Sequence, residues 1–217
     1  MSSLSLVKSL SVLQEEQKHV DEITLEPVGL AFERGSIVDI SGKAASGKTA
    51  IAHALLAKLT IAGEVCAVVD STNGFDPRSA ITSGVKLENL LWVKCGGDVE
   101  KTFMAADHLV LAKGFGAIWL NLCGLPRKKL QMVPKTYWYR YRTRIKETPT
   151  LLFVTCEEPI TGSASQQAYI FSLPNKAIWS GSGRFKLLRS LNIEITSRKQ
   201  FYGRPQQTTI HADYSNA

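Results

Sequence analysis

The sequence predicts an α/β fold: a mostly parallel sheet flanked by helices on both faces, with antiparallel strands at its C-terminal edge. Three observations carry this. Short apolar runs of strand length recur along the chain, helical patterns separate them, and a glycine-rich loop joins one run to the helix after it. Parallel strands need crossover connections and are covered on both faces, so they read as continuously apolar rather than alternating. With 44% apolar and 21% charged residues over 217 positions, the chain is neither disordered nor collagen-like. A chain this long buries about 70% of its unfolded surface without disulfides or metals.

In chain order, Leu6, Leu10 and Leu13, joined by Val20, recur at helical spacing and predict an N-terminal helix ending near Asp21. Residues 1–24 then form an arm, 25–202 the core domain and 203–217 a polar tail. Ser36 to Ser41 is a β-branched strand opening into Gly42, and Lys48 to Leu59 a helix closed by Gly63. Val65 to Asp70 and Leu90 to Lys94 are further strands. Asp98 caps a helix that presents Val99, Phe103, Ala106 and Val110 on one face and stops at Gly114. Ala117 to Leu122 and Leu151 to Cys156 are two more apolar strands. After Glu157 the pattern changes to Gly/Ser/Pro-rich loops and alternating segments, and Phe185 to Thr196 reads as antiparallel edge strands.

The longest apolar stretch, Ile51 to Ile61, is interrupted by His53, Lys58 and Thr60, so no membrane span or membrane partner is predicted. Lys8 inside the first apolar run, and the absence of a small-residue cleavage site, argue against a secretory signal and predict a cytoplasmic location. Cys66, Cys95, Cys123 and Cys156 stand far apart in or beside apolar runs and read as reduced thiols, not zinc ligands. The net charge is +7, yet eight of the basic residues, and no acidic one, fall between Arg127 and Lys146. The whole positive excess therefore belongs to one segment, the pattern of a localised polyanion footprint.

Gly42, Lys43, Ala44, Ala45, Ser46, Gly47, Lys48 and Thr49 match G-x-x-x-x-G-K-[ST] between a predicted strand and a predicted helix. Such a loop turns successive N–H groups and a helix N-terminus toward an anion. Lys48 reaches the outer phosphates, and Thr49 offers its hydroxyl to Mg²⁺. The predicted ligand is ATP with Mg²⁺.

Val68-Val69-Asp70, Phe75-Asp76-Pro77 and the run from Gly84 to Leu91 (GVKLENLL) resemble the RecA recombinase core from about Val28 to Thr196. The stretches GEVCAVVDSTNGFDP and NLLWVKCGG look most like ImuA-type RecA homologues, accessory proteins of a bacterial DNA-damage mutagenesis system. The resemblance implies a RecA-like P-loop core. It also exposes departures. Where RecA carries a catalytic Glu that activates water, this chain has Thr72, which is no general base at neutral pH. Where RecA carries the Walker B acid, it has Asn121, a neutral metal ligand. The nucleotide-sensing glutamine falls on Cys156 or Glu157. The implied hydrolysis is absent or slow, with Asp70 or Glu157 open as a substitute acid.

RecA binds single-stranded DNA through two loops whose counterparts here are Gly124 to Thr136 and Pro159 to Gly183. Arg127, Lys128, Lys129, Lys135, Arg140, Arg142, Arg144 and Lys146 are the candidate DNA contacts; Lys and Arg neutralise phosphates while Tyr and Trp stack on bases. Residues 137–145 alternate at strand period, yet the fold asks for a crossover helix there, with Pro134 at its start and Trp138, Tyr141 and Ile145 packed on the sheet. The same segment also reads as a helix with a merely solvated basic face. The second loop adds Gly162, Lys176, Trp179, Gly181, Gly183 and Arg184. The resemblance implies an adaptor in translesion synthesis and the SOS response that binds DNA, RecA or a Y-family-like polymerase subunit, with self-association through the N-terminal helix. The alternative is an active DNA-stimulated ATPase with recombinase filament activity.

Overall fold

The computed structural model describes residues 22–173, 178–180, 187–199 and 207–213. The predicted helix through Leu6, Leu10, Leu13 and Val20 lies outside the described residues. The first element is a hairpin that the sequence pattern did not reveal: β1 (Glu22–Leu25) pairs antiparallel with β2 (Leu30–Glu33). Ile23, Leu25, Leu30 and Phe32 are buried while their sequence neighbours are not, so the ribbon has one apolar face.

The main sheet starts with β3 (Ile37–Gly42). α1 (Lys48–Ile61), β4 (Cys66–Asp70), α2 (Pro77–Thr82), β5 (Leu90–Lys94), α3 (Val99–Ala112) and β6 (Ala117–Asn121) follow. Then come α4 (Arg127–Gln131), α5 (Thr136–Ile145), β7 (Leu151–Cys156), β8 (Gln167–Ser172), β9 (Ile178–Ser180), β10 (Leu187–Lys199) and β11 (Gln207–Asp213). The strand order is β11-β10-β8-β3-β7-β6-β4-β5, with β9 also on β10. From β8 to β5 all neighbours are parallel, whereas β10 runs antiparallel to β8, β9 and β11. This is the predicted α/β class, with its antiparallel strands at the C-terminal edge.

Side-chain alternation along the buried strands splits the core in two. Val38, Ile40, Val68, Trp119 and Phe153 face α1, which contributes Ile51, Leu55, Leu56 and Leu59. Ile37, Val69, Ile118, Leu120, Leu152 and Val154 face α3 and α5, which bring Phe103, Ala106, Val110, Trp138, Tyr141 and Ile145. Leu55 and Leu56 are fully buried, worth about 1.5–3 kcal/mol each relative to exposure. Asp76 caps α2 by accepting from the backbone N–H groups of Arg78 and Ser79, and Asp98 caps α3 by accepting from that of Lys101.

Two expectations need correction. Residues 207–213, read as part of a polar tail, form β11, paired with Ser190 to Thr196 of β10; isolated polar and β-branched residues there hid a strand whose outer position asks for no apolar face. The second loop, Pro159 to Gly183, is not a single loop: it contains β8, hydrogen-bonded in parallel to β3, and β9. The crossover helix expected around residues 137–145 is present, with Trp138, Tyr141 and Ile145 buried, so the strand-period alternation there is accidental. The side chains of Lys176, Trp179, Gly181, Gly183 and Arg184 lie outside the described residues.

Candidate nucleotide site and basic helix

The glycine loop leaves β3 at Gly42 and enters α1 at Lys48. Gly47 caps that helix at φ +92°, and Ala45 sits at φ +61°. Both bends are left-handed, and at Gly47 a Cβ would stand 2.8 Å from Ile193 Cδ1 on β10, so this turn requires glycine. At Gly42 a Cβ would run into the carbonyl of Phe171. Lys43, Ala44, Ala45 and Thr49 are exposed, while Ser46 is buried. Lys48 is buried and folds over the loop: its ammonium donates to the carbonyls of Gly42 at 2.6 Å and Lys43 at 2.7 Å, and to Ser46 Oγ at 3.3 Å. A cation held in a ring of carbonyls above a helix N-terminus, with open backbone at the loop tip, fits a polyphosphate.

The parallel register aligns the ends of the strands beside this loop. Ser41 pairs with Cys156, Thr155 with Asn121, and Asn121 with Asp70. Each polar group in that row turns toward neighbouring chain. Asp70, fully buried, accepts from the backbone N–H groups of Gly74 (3.0 Å) and Phe75 (2.9 Å) and from Trp92 Nε1 (3.3 Å). Thr72 donates to the Cys123 carbonyl at 2.9 Å. Asn121 Oδ1 accepts from Thr155 Oγ1 at 3.1 Å and the Cys123 N–H at 3.3 Å, and Thr155 itself accepts from Trp119 Nε1 at 2.8 Å. Glu157 is exposed at the end of β7. Among the described residues no cluster of His, Cys, Asp and Glu is arranged to hold a metal.

Burial pushes the Cys123 thiol upward, opposed chiefly by Lys48, with Glu157 adding to the rise. Burial also pushes Cys156 well up, with Asp39 and Cys123 adding to it and Lys48 opposing. Both are neutral thiols with no nucleophilic character at neutral pH. Cys66 is driven to about 12, mainly by burial. All four cysteines are free.

Two functional neighbours escaped the sequence reading. Asp39, on β3 and buried, accepts at Oδ2 from the N–H groups of Ile160 and Thr161, both at 3.0 Å, and from Thr161 Oγ1 at 2.7 Å. It pins the chain after β7 to the strand that carries the phosphate loop. A charged residue inside an otherwise apolar strand was the available signal. Ile193, which covers Gly47, left no signal, because its role comes only from the position of β10.

The basic segment divides into three groups. Arg127, Lys128 and Lys129 are exposed on α4, and Arg127 pairs with Glu158 at 2.9 Å. Lys135 and Lys146 flank α5 and are exposed. Arg140, Arg142 and Arg144 lie on α5, half-buried rather than projecting as the helical reading expected of Arg140 and Arg144. Arg140 and Arg144 converge on Asp107 Oδ1 of α3 at 2.8 and 2.7 Å, and Arg140 also stacks on the Tyr137 ring with its guanidinium carbon 4.4 Å from the centroid. Tyr139 hydrogen-bonds Ser163, and Arg142 approaches the Ser163 carbonyl at 3.4 Å. The acidic partner on α3, Asp107, lies twenty positions before Arg127, where the run starts, which is why a segment count missed it.

Comparison with known proteins agrees with this architecture. The RecA N-terminal domain family matches residues 14–121, a span holding the phosphate loop, Asp70, Thr72 and Asn121 but none of the basic segment. Protein RecA of Picosynechococcus sp. is 39% identical over 108 residues, 49% of this chain and 31% of that protein. Protein RecA of Chloroflexus aurantiacus is 41% identical over 58 residues, 27% of this chain and 16% of that protein. Protein RecA of Bacteroides thetaiotaomicron is 26% identical over 121 residues, 51% of this chain and 36% of that protein. The chain thus spans well under half the length of these relatives. No described helix is long and apolar enough to cross a membrane. The phosphate loop falls within residues 14–121, the span over which this chain is similar to the RecA N-terminal domain family.

Proposed function

We propose that the protein is a cytoplasmic accessory factor of DNA-damage tolerance, similar to the ImuA-type RecA homologues, that holds nucleotide without efficient turnover. It acts as an adaptor for single-stranded DNA and for RecA or a Y-family-like polymerase subunit. The observation that carries this is the state of the strand ends beside the phosphate loop. Thr72 and Asn121 bring no carboxylate, and Asp70, one of the two candidate replacement acids, has both oxygens engaged by Gly74, Phe75 and Trp92. Hydrolysis of a phosphoanhydride needs a positioned water and charge stabilisation, and neither is provided for by these groups.

The residues from Gly42 to Thr49 fit a bound nucleotide: backbone N–H groups and Lys48 would hold the phosphates and Thr49 would offer its hydroxyl to Mg²⁺. Lys48, now on the Gly42 and Lys43 carbonyls and Ser46 Oγ, would offer its charge to the phosphates of a bound ATP, and the role of this chain's own groups would be to bind and orient it. For DNA, the exposed Arg127, Lys128, Lys129, Lys135 and Lys146, with Arg142, form the outward face, while Arg140 and Arg144 act through Asp107 to fix α5 in place.

The test is ATP turnover with and without single-stranded DNA, beside a Lys48→Ala variant. The reading expects turnover far below about one per second and no stimulation by DNA. Faster, DNA-stimulated turnover that Lys48→Ala abolishes would instead establish the active recombinase-type ATPase. In a parallel binding assay, affinity for single-stranded DNA falls steeply with salt, and charge reversal at Lys128 and Lys129 weakens it.

A further inference from the structure

A groove of about 730 Å³ opens between the first turn of α3 and the chain joining α4 to α5, and no residue from 42 to 49 lines it. Its floor is apolar, with Val99 and Phe103 from α3, Val133 and Pro134 from the connection, and Tyr137 from α5. Phe103 meets the Tyr137 ring at 5.6 Å and the Trp138 ring at 5.3 Å, both edge-on, while Asp107 ties α3 to Arg140 and Arg144 of α5. The floor is therefore formed in advance and loses little side-chain freedom when covered. Met132, also lining the groove, is 82% exposed, an adaptable apolar group of the kind that protein-binding surfaces carry.

Charge decides what can lie there. Asp98 and Glu100 line the α3 side. The Lys101 N–H bonded to Asp98 holds that carboxyl below the usual carboxylate range, and Glu100 is exposed with no side-chain partner among the described residues. Two carboxylates repel a phosphate backbone, so the groove is a gap in the basic surface that begins at Arg127. Beside them Gly96 and Gly97 turn at φ +60° and +83°, with nothing within 4 Å of where their Cβ atoms would stand. A second backbone can come close at that point.

We propose that this groove docks a short extended segment of a partner protein. An aliphatic or aromatic anchor of that segment sits over Phe103 and Tyr137 and covers Met132, and flanking Arg or Lys residues meet Asp98 and Glu100. The proposal deepens the adaptor reading, and the ATP and DNA assays above stand or fall without it. Lys129, on the other side of the groove, marks the boundary: its charge attracts DNA and opposes the segment's cations, so the two ligands respond to its removal with opposite signs.

The experiment titrates the full chain at low salt with three fluorescein-labelled hexapeptides: Gly-Arg-Leu-Phe-Arg-Gly, a version with Glu for both Arg, and a version with Ser for Leu and Phe. Fluorescence anisotropy is expected to show saturable binding of the first with a Kd below about 1 mM, and losses of about tenfold for the other two. Glu100→Lys weakens the first peptide by about tenfold and Met132→Ser by about threefold. Lys129→Ala strengthens it by about twofold while weakening oligothymidylate. Glu147→Lys, at an exposed acid outside the groove, leaves it unchanged. No saturation by the first peptide, equal affinity for the Arg and Glu versions, or equal losses in Glu100→Lys and Glu147→Lys overturns the proposal. So does oligothymidylate binding that Met132→Ser lowers more than peptide binding, which makes nucleic acid the occupant. A dimer in sedimentation that Met132→Ser dissolves makes the occupant a second copy and overturns it as well.

Discussion

Replacing Asp39 separates the work of its charge from the work of its shape. One oxygen, Oδ2, accepts all three bonds from Ile160 and Thr161, while Oδ1 faces Cys156 Sγ at 3.9 Å. An asparagine can therefore keep its carbonyl on the three donors and turn its amide toward the sulfur. What it loses is the charge assistance, which makes each such bond roughly twice as strong as a neutral one. Asp39→Asn should cost about 1–2 kcal/mol. Asp39→Ala removes the acceptor altogether and strands two backbone N–H groups and a hydroxyl beside a buried cavity, at about 3–5 kcal/mol. For a chain of this size each kcal/mol moves Tm by about 2–4 °C. The alanine variant should therefore melt about 10 °C low and the asparagine variant only a few degrees low. Hydrogen exchange should show fast opening confined to residues 157–164 in the alanine variant before global unfolding. A melting temperature for Asp39→Ala within a degree of wild type, or equal losses for the two variants, would refute the claim that this carboxylate holds the chain after β7.

Burial lowers the pKa of His53, against the pull of Asp76, below the 6.5 of the unfolded chain. The unfolded state then binds more protons as pH falls below about 6.5, so stability is lost from there down to the folded pKa. His53→Phe should flatten the stability slope between pH 7 and 5 in urea titrations, and parallel slopes would contradict it. Asp107→Ala releases Arg140 and Arg144 from a partly solvated cluster. It should lower Tm by about 2–4 °C and delay elution from heparin at low salt; earlier elution would contradict the assignment of Asp107 as the groups' counter-charge. Asn121→Asp puts a carboxylate where Thr155 and Cys123 already donate, and nucleotide affinity should become Mg²⁺-dependent by about tenfold. Calorimetry that finds the same Mg²⁺ response in both proteins would count against it.

The parallel half of the fold was legible because its strands are buried on both faces and its helices on one, and those patterns are written in local composition. Cys66 to Asp70 and Leu151 to Cys156 are wholly buried strands and could only read as such. β8 was hidden because Gln167, Ile170 and Ser172 are only half-buried, so the strand lacks the continuous apolar run that marked β4 and β7. The phosphate loop was legible as a motif, since glycines at fixed spacing are required wherever backbone must curl. Its surroundings were not. That Asp70 is engaged, that Asp107 neutralises part of the basic helix and that Ile193 covers Gly47 all depend on groups far apart in sequence meeting across the sheet.

The strand ends share one physical logic. In a site that breaks phosphoanhydrides, acids at the ends of parallel strands must keep oxygens free for metal and water, which costs stability because a buried carboxylate without donors is poorly solvated. Here Asp39 and Asp70 are surrounded by backbone N–H groups, Thr72 and Asn121 satisfy the chain around Cys123, and the whole row is buried or half-buried with its hydrogen bonds made. These groups act as clamps for the chain after β4, β6 and β7. Clamped at three strand ends, the chain beside the phosphate loop resists rearrangement when that loop fills.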